Sequence, residues 1–174
     1  MGAAQHAGIF LPAVRALALG WAVCAISAAA AAPPDATSLF PAGATIGTTE
    51  NVTVTGTFGV WPVQIVSSSP KVQVECEKDK GKLKIHIAPD AEPGLYWLRF
   101  VDDEGASAPR PFVVAAQPSI LEKEPNDAPK QAQPVSSAVV VNGKYDKNGD
   151  SDSYRVELAA GQTVVASLQS NSIL

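Results

Sequence analysis

From Pro33 to about Gln117, apolar and polar residues alternate in short runs separated by turn-forming residues. Val52 and Val54 alternate with Thr53, Thr55 and Thr57. Val72, Val74 and Cys76 alternate with Gln73, Glu75 and Glu77, and Leu83, Ile85 and Ile87 with Lys82, Lys84 and His86. A period of two places one set on a core face and the other in water, which predicts half-buried strands. Lys78-Asp79-Lys80-Gly81 reads as the turn between the second and third of these runs. Leu95 to Val101 (LYWLRFV), opened by Pro93-Gly94, is apolar on both sides and predicts a central strand. Asp102-Asp103-Glu104-Gly105 then turns back into a strand from Pro111 to Ala115. No segment holds a 3.6-residue period. The pattern predicts an all-β sandwich over residues 33–117.

Beyond it the texture changes. Residues 118–133 (PSILEKEPNDAPKQAQ) are polar and proline-bearing, and by composition they read as a linker and entry segment. In residues 134–174, Val139 to Val141 lead into Asn142-Gly143, and Asp146 to Asp152 form a charged loop. Tyr154, Val156 and Leu158 alternate with polar neighbours, Ala160-Gly161-Gln162 turns, and Val164, Ala166 and Leu168 share a face. The alternation rule predicts a hairpin here. Only Tyr145 and Tyr154 are aromatic in this second module, whereas the first holds Phe58, Trp61, Tyr96, Trp97, Phe100 and Phe112.

The amino terminus follows another pattern. Residues 1–32 hold 13 Ala and no carboxylate, with Arg15 preceding an apolar run from Ala16 to Ile26 and small residues from Ser27 to Ala32. A charged lead, a short apolar stretch and an A-x-A-like end describe a secretory signal peptide, cleaved near Ala30 to Ala32. The run is shorter than the roughly 20 residues a bilayer span needs. The expected location is therefore secreted, periplasmic or cell-surface, with no membrane span after cleavage. Removing this stretch leaves 12 basic and 17 acidic side chains, a net charge of −5. Such a chain has no basic surplus for nucleic acid. It retains Cys76 and His86 as its one cysteine and one histidine.

Those two residues bound the catalytic options. Cys76 shares a face with Val72 and Val74 and reads as a small buried hydrophobe. His86 lies on the lysine-bearing face and reads as a solvated strand histidine with no partner within hydrogen-bond reach. No catalytic residue is assigned, and the expectation is that the chain is not an enzyme.

The stretch GLYWLRFVDDEGASAPRPFVV resembles the closing hairpin of immunoglobulin-like domains in secreted bacterial proteins. The second module carries Glu124-Pro125-Asn126-Asp127, Val141-Asn142-Gly143, Gly149-Asp150-Ser151-Asp152-Ser153-Tyr154 and Ala160-Gly161-Gln162, in that order. This order resembles the bacterial pre-peptidase C-terminal (PPC) domain, over residues 122–174. The two resemblances imply an immunoglobulin-like β-sandwich followed by a PPC-like β-sandwich of jelly-roll type. Residues 134–174 are too few for all of the second sandwich's strands, so it is expected to be incomplete.

Members of that family are small sandwiches attached to secreted proteases and other exported enzymes. Some bind collagen or other insoluble polymers, and some bind calcium. In the calcium-binding members the acidic entry segment and the Asp-x-Asp loop converge on one ion. The matching positions here are Glu122, Glu124, Asn126, Asp127, Asp150 and Asp152, and Ca²⁺ is the implied ion. An EF-hand would use Asp146, Asn148, Asp150, Asp152 and Glu157, but Ser151 stands where the loop needs glycine and the flanks alternate as strands. The expected function is an exported, non-catalytic binding or adhesion module whose partner is an extracellular polymer or protein. The alternative is the accessory region of a larger exported protease or other hydrolase whose catalytic domain lies outside this sequence.

Overall fold

The computed structural model describes Gly2, residues 32–145 and residues 147–169. The expected signal peptide lies almost wholly outside the described residues, and Asp146 lies outside them as well. Residues 31–174 cluster as one unit.

Nine strands build the first half: β1 (Asp35–Phe40), β2 (Gly43–Thr45), β3 (Thr49–Thr57), β4 (Gln64–Ser67), β5 (Val72–Cys76), β6 (Lys82–Ile87), β7 (Gly94–Asp102), β8 (Gly105–Ala106) and β9 (Arg110–Ala115). They form one sheet in the order β1-β3-β6-β5 and a second in the order β2-β9-β7-β4, with β8 paired to β7. This is the strand arrangement of an immunoglobulin-like sandwich. The alternating runs form strands for the reason their spacing gives. Val52 and Val54 on β3 point inward with Leu83, Ile85 and Ile87 on β6, and all five are buried. From the facing sheet come Leu98 and Phe100 on β7 and Phe112 and Val114 on β9. Phe58 meets both Trp61 and Phe100 edge-on, at ring-centroid distances of 5.3 and 5.6 Å.

Turn chemistry sets the register. The Lys78–Gly81 turn closes the β5–β6 hairpin through an Asp79 carbonyl bond from the Lys82 amide at 3.0 Å, with Gly81 at φ +82°. Gly43 is needed for a close approach, because β2 runs parallel to β9. A Cβ at Gly43 would lie 2.5 Å from the Val113 carbonyl oxygen. Strand β7 is interior to its sheet, as its sequence predicts. However, only one of its faces is covered, and Leu95 and Trp97 stand exposed on the other.

The second half is built from β10 (Ser119–Leu121), β11 (Gln133–Val135), β12 (Val140–Asn142) and β13 (Tyr154–Val156). β10 pairs with β12 and β11 pairs with β13, both parallel. The expected hairpin between Tyr154–Leu158 and Thr163–Leu168 does not form. The Ala160-Gly161 turn is present, with the Gln162 amide bonded to the Ala159 carbonyl at 3.1 Å, but 163–168 carries no strand. Alternation marks a segment as able to pair and does not name its partner. Here β13 pairs in parallel with β11, which precedes it in the chain with one strand, β12, between them.

The polar stretch 118–133 also carries structure: β10, a 3-10 turn at Pro129–Gln131, and a pin to the first sandwich. The Thr45 hydroxyl donates to the Gln117 carbonyl at 3.2 Å and accepts from the Ser119 amide at 2.8 Å. Composition reads polarity, and here the polar groups satisfy one another.

Three outcomes test this architecture. Phe100→Ala and Phe112→Ala should each cost about 3–5 kcal/mol in urea unfolding, since both rings are fully buried. Val165→Ala, at a position 88% exposed, should stay within about 0.5 kcal/mol of the parent. Brief digestion with a broad-specificity protease should cut first within residues 157–169, which are exposed and lack strand pairing, and only later within 122–133. Earlier cleavage in 122–133 would remove the structural role assigned to that segment.

Candidate metal centre

The acidic centre begins where β10 ends. The Glu122 amide continues the ladder onto the Asn142 carbonyl at 2.9 Å, which turns its side chain toward β12 and β13. Oε1 of Glu122 accepts from Asn126 Nδ2 at 3.0 Å and from the Tyr154 hydroxyl at 3.3 Å. Oε2 accepts from the Lys144 amide at 2.8 Å. Gly143 leaves the room this needs, because a Cβ there would stand 3.0 Å from Glu122 Oε2 and 3.3 Å from the Tyr154 oxygen.

Asn126 is the anchor of the entry segment and is fully buried. Its amide donates to Glu124 Oε2 at 2.9 Å, and its carbonyl accepts from the Ser153 amide at 2.9 Å. The side-chain amide is spent on Glu122, while Oδ1 is buried and accepts nothing. Asp152 likewise holds a buried Oδ1 without a hydrogen-bond partner. Buried acceptors are normally satisfied, so oxygens such as these in an acidic cluster mark places where a cation would bind.

All six residues expected from the sequence come together. They do so as two groups of carboxylates sharing Glu124: Glu122, Glu124 and Asp152, and Glu124, Asp127 and Asp150. Within each group one oxygen per residue lies within 4.8 Å of the others. The donors are all hard oxygens, the set that suits calcium or magnesium, in contrast to zinc or copper sites built on nitrogen and sulfur.

The crowding shows in the proton affinities. Burial, the hydrogen bond with Glu122 and the charges of Glu122, Asp150 and Glu124 push the Asp152 carboxyl up to about 6. Burial works the same way on Glu122, but the donors Lys144, Asn126, Asp152 and Tyr154 outweigh it and hold Glu122 below the usual range. Burial and the charges of Glu122 and Asp152 push the Tyr154 hydroxyl well up. Lys147, and then a hydrogen bond with Asp150, hold the Asp127 carboxyl down. The two neighbouring carboxyls, Glu122 and Asp152, are thus shifted in opposite directions, as crowding of like charges at one site produces.

Sequence reasoning missed Tyr154, Gly143, Lys144 and Lys147 as members of this centre. The first two stand inside the motifs that carry the family resemblance. The Lys144 contribution is a backbone amide, which no residue pattern announces. The rival EF-hand geometry is absent among the described residues: Lys147 to Asp150 form a turn, closed by an Asp150 amide to Lys147 carbonyl bond at 3.2 Å, and β13 follows.

Elsewhere, Cys76 is half-buried, its Sγ lies 3.3 Å from the Val63 carbonyl, and burial pushes its thiol up. A thiol so placed is a poor nucleophile. His86 corrects the expectation of no partner: its Nδ1 lies 2.9 Å from Thr49 Oγ1, and its Nε2 lies 3.7 Å from Glu75 Oε2. The reason is register. β6 lies between β3 and β5, so His86 stands opposite Thr49 on one side and two residues from Glu75 on the other. Hydroxyl, imidazole and carboxylate therefore line up across three strands on the polar face of the sheet. An open groove of about 810 Å³, lined by Leu95, Val113, Ala115, Val140 and Leu168, carries no titratable side chain.

No family model and no curated protein matches the chain. Among solved structures it is similar to an I-band fragment of titin, at 16% identity and a TM-score of 0.29, over 63% of this chain and 32% of that one. It is also similar to a chimeric titin Z1Z2 tandem functionalised with an exogenous peptide from fibronectin, at 21% identity and a TM-score of 0.24, over 48% of this chain and 46% of that one. The chain spans less than half the length of either.

The Thr49–His86–Glu75 line gives a direct check on catalysis. His86→Ala and Cys76→Ser should leave any ester or peptide hydrolysis by the purified chain unchanged. A fall of about a hundredfold with His86→Ala would assign general-base chemistry to that face.

Proposed function

We propose that the chain is an exported, non-catalytic binding or adhesion module in which calcium organises the segment following an immunoglobulin-like sandwich. The observation that carries this reading is the convergence of Glu122, Glu124, Asp127, Asp150 and Asp152 around the fully buried Asn126. Five carboxylates drawn from two separate segments repel one another, and that repulsion opposes the local fold. A divalent cation reverses the sign of the term: it takes about 6–8 oxygen ligands at about 2.3–2.6 Å and converts crowded carboxylates into ligands. Millimolar calcium outside the cell suits sites of this open, partly exposed kind. The residue order of the entry segment, the Asp-x-Asp loop and the Tyr154 strand supports the likeness to PPC domains. The signal-like amino terminus supports export. Among the described residues no helix is long and apolar enough to cross a membrane.

On this reading the centre is structural. Glu122 joins β10 to Lys144 and Tyr154, and Asn126 joins the entry segment to Ser153. An ion there stiffens the joint between the first sandwich and the second segment, which holds a bound polymer or protein partner at a set orientation.

Calorimetry of the full chain tests the proposal. Free calcium at about ten times Kd stabilises the bound state by about 1.4 kcal/mol, so the melting temperature should rise with calcium. Asp152→Asn and Glu124→Gln should each abolish most of that rise while leaving the first sandwich folded. No calcium-dependent shift in the parent chain would leave the acidic residues as turn formers.

A further inference from the structure

We infer that the Lys147 ammonium is the resident cation of the second carboxylate group, so that a divalent ion enters the centre only at the Glu122–Glu124–Asp152 group. The inference rests on the calcium reading above and adds to it the number of ions the chain takes.

The two groups of carboxylates share Glu124 and differ in what already neutralises them. In the second group, Lys147 Nζ lies 2.9 Å from Asp127 Oδ2 and 3.9 Å from Asp150 Oδ1. The Glu124 charge also acts on that ammonium, so all three carboxylates of the group bear on it. In the first group, Glu122 is met by neutral donors: the Asn126 amide, the Tyr154 hydroxyl and the Lys144 backbone N–H. Buried Asn126 Oδ1 and Asp152 Oδ1 accept no hydrogen bond, and Asn126 bonds Glu122 through its amide; the buried Asp150 Oδ1 of the second group instead has the Lys147 ammonium 3.9 Å away. The first group therefore offers available ligands, and the second holds a cation.

Local geometry keeps Lys147 there. The turn from Lys147 to Asp150, with Gly149 at φ +80°, brings the side chains of these two residues to one side. Only glycine adopts that backbone without strain, and nothing within 4 Å of Gly149 obstructs it. The Asp150 side chain is 1% exposed, so its carboxylate gains little from water and depends on fixed partners. Lys147 is 60% exposed, so its stem lies in solvent and its removal leaves no cavity. A tethered ammonium is present at high effective concentration. It uses the same carboxylate oxygens that an ion would need, and like charge keeps a second divalent ion out.

Titration of the full chain with calcium chloride, followed by calorimetry and by equilibrium dialysis, tests this. The parent should bind one ion. Lys147→Ala and Lys147→Gln should bind two, while Lys130→Ala, an exposed lysine of the same segment, should stay at one. In metal-free buffer Lys147→Ala should melt lower than the parent, and excess calcium should erase the difference. Two ions in the parent, or one ion in the Lys147 variants at the parent's affinity, would overturn the inference while leaving the calcium reading intact. No calcium bound by any of these proteins would remove the calcium reading and this inference together.

Discussion

The Glu122 carboxylate accepts hydrogen bonds from Asn126, from Tyr154 and from the Lys144 amide, and through them it ties together segments that belong to two different small sheets. β10 and β12 pair with each other, as do β11 and β13, but each ladder is only three residues long. Two-stranded ladders of that length have little stability of their own in water. What relates one ladder to the other is polar: Glu122 reaching Tyr154, Asn126 reaching Ser153, and Gln133 spanning from the Lys123 amide to the Leu121 carbonyl. The arrangement of the second half therefore depends on how its clustered negative charge is neutralised.

The first half obeys a different constraint. Its two sheets enclose Leu83, Ile85, Leu98, Phe100 and Phe112, all essentially inaccessible to water, and burial of such side chains dominates folding energetics. Charge does little there, and the polar face carrying Thr49, Lys84 and His86 is free to vary without touching the core. The second half contributes no residue to that core cluster. The same chain thus combines a sandwich held by apolar packing with a segment held by hydrogen bonds and ion pairs. A cation that changes the electrostatics of the second part should leave the first part unaffected. The Thr45 hydroxyl is one of the contacts through which the two are joined, bonding Gln117 on one side and Ser119 on the other.

Much of this was legible from residue order. Period-two alternation located β3, β5 and β6, because side-chain direction in a strand is a local property of the backbone, and a continuous apolar run opened by Pro93-Gly94 located β7. The Lys78–Gly81 turn was legible for the same reason, as was the inward face of Cys76. The six oxygen-bearing residues were legible as two short acidic segments, 122–127 and 150–152, which the family resemblance alone implied would converge. What alternation could not supply was pairing. Residues 163–168 have the right pattern and no strand partner among the described residues, while the short run at Gln133–Val135, which starts on the last residue of the stretch that reads as linker, holds β13 in parallel.

Sequence by itself determined the alternating strands β3, β5 and β6, the core face of each, and the oxygen chemistry of the two acidic segments, because each of these depends on residues within one turn or one strand of each other. Tertiary structure alone decided the partners. It placed Thr49 and Glu75 on either side of His86, because registry across three strands is a long-range property. It also divided the acidic residues into two groups about Glu124 and brought the Lys147 ammonium to one of them. Distances of a few ångströms between segments some 20 residues apart are set by the whole network of ladders and hydrogen bonds. No local pattern encodes them.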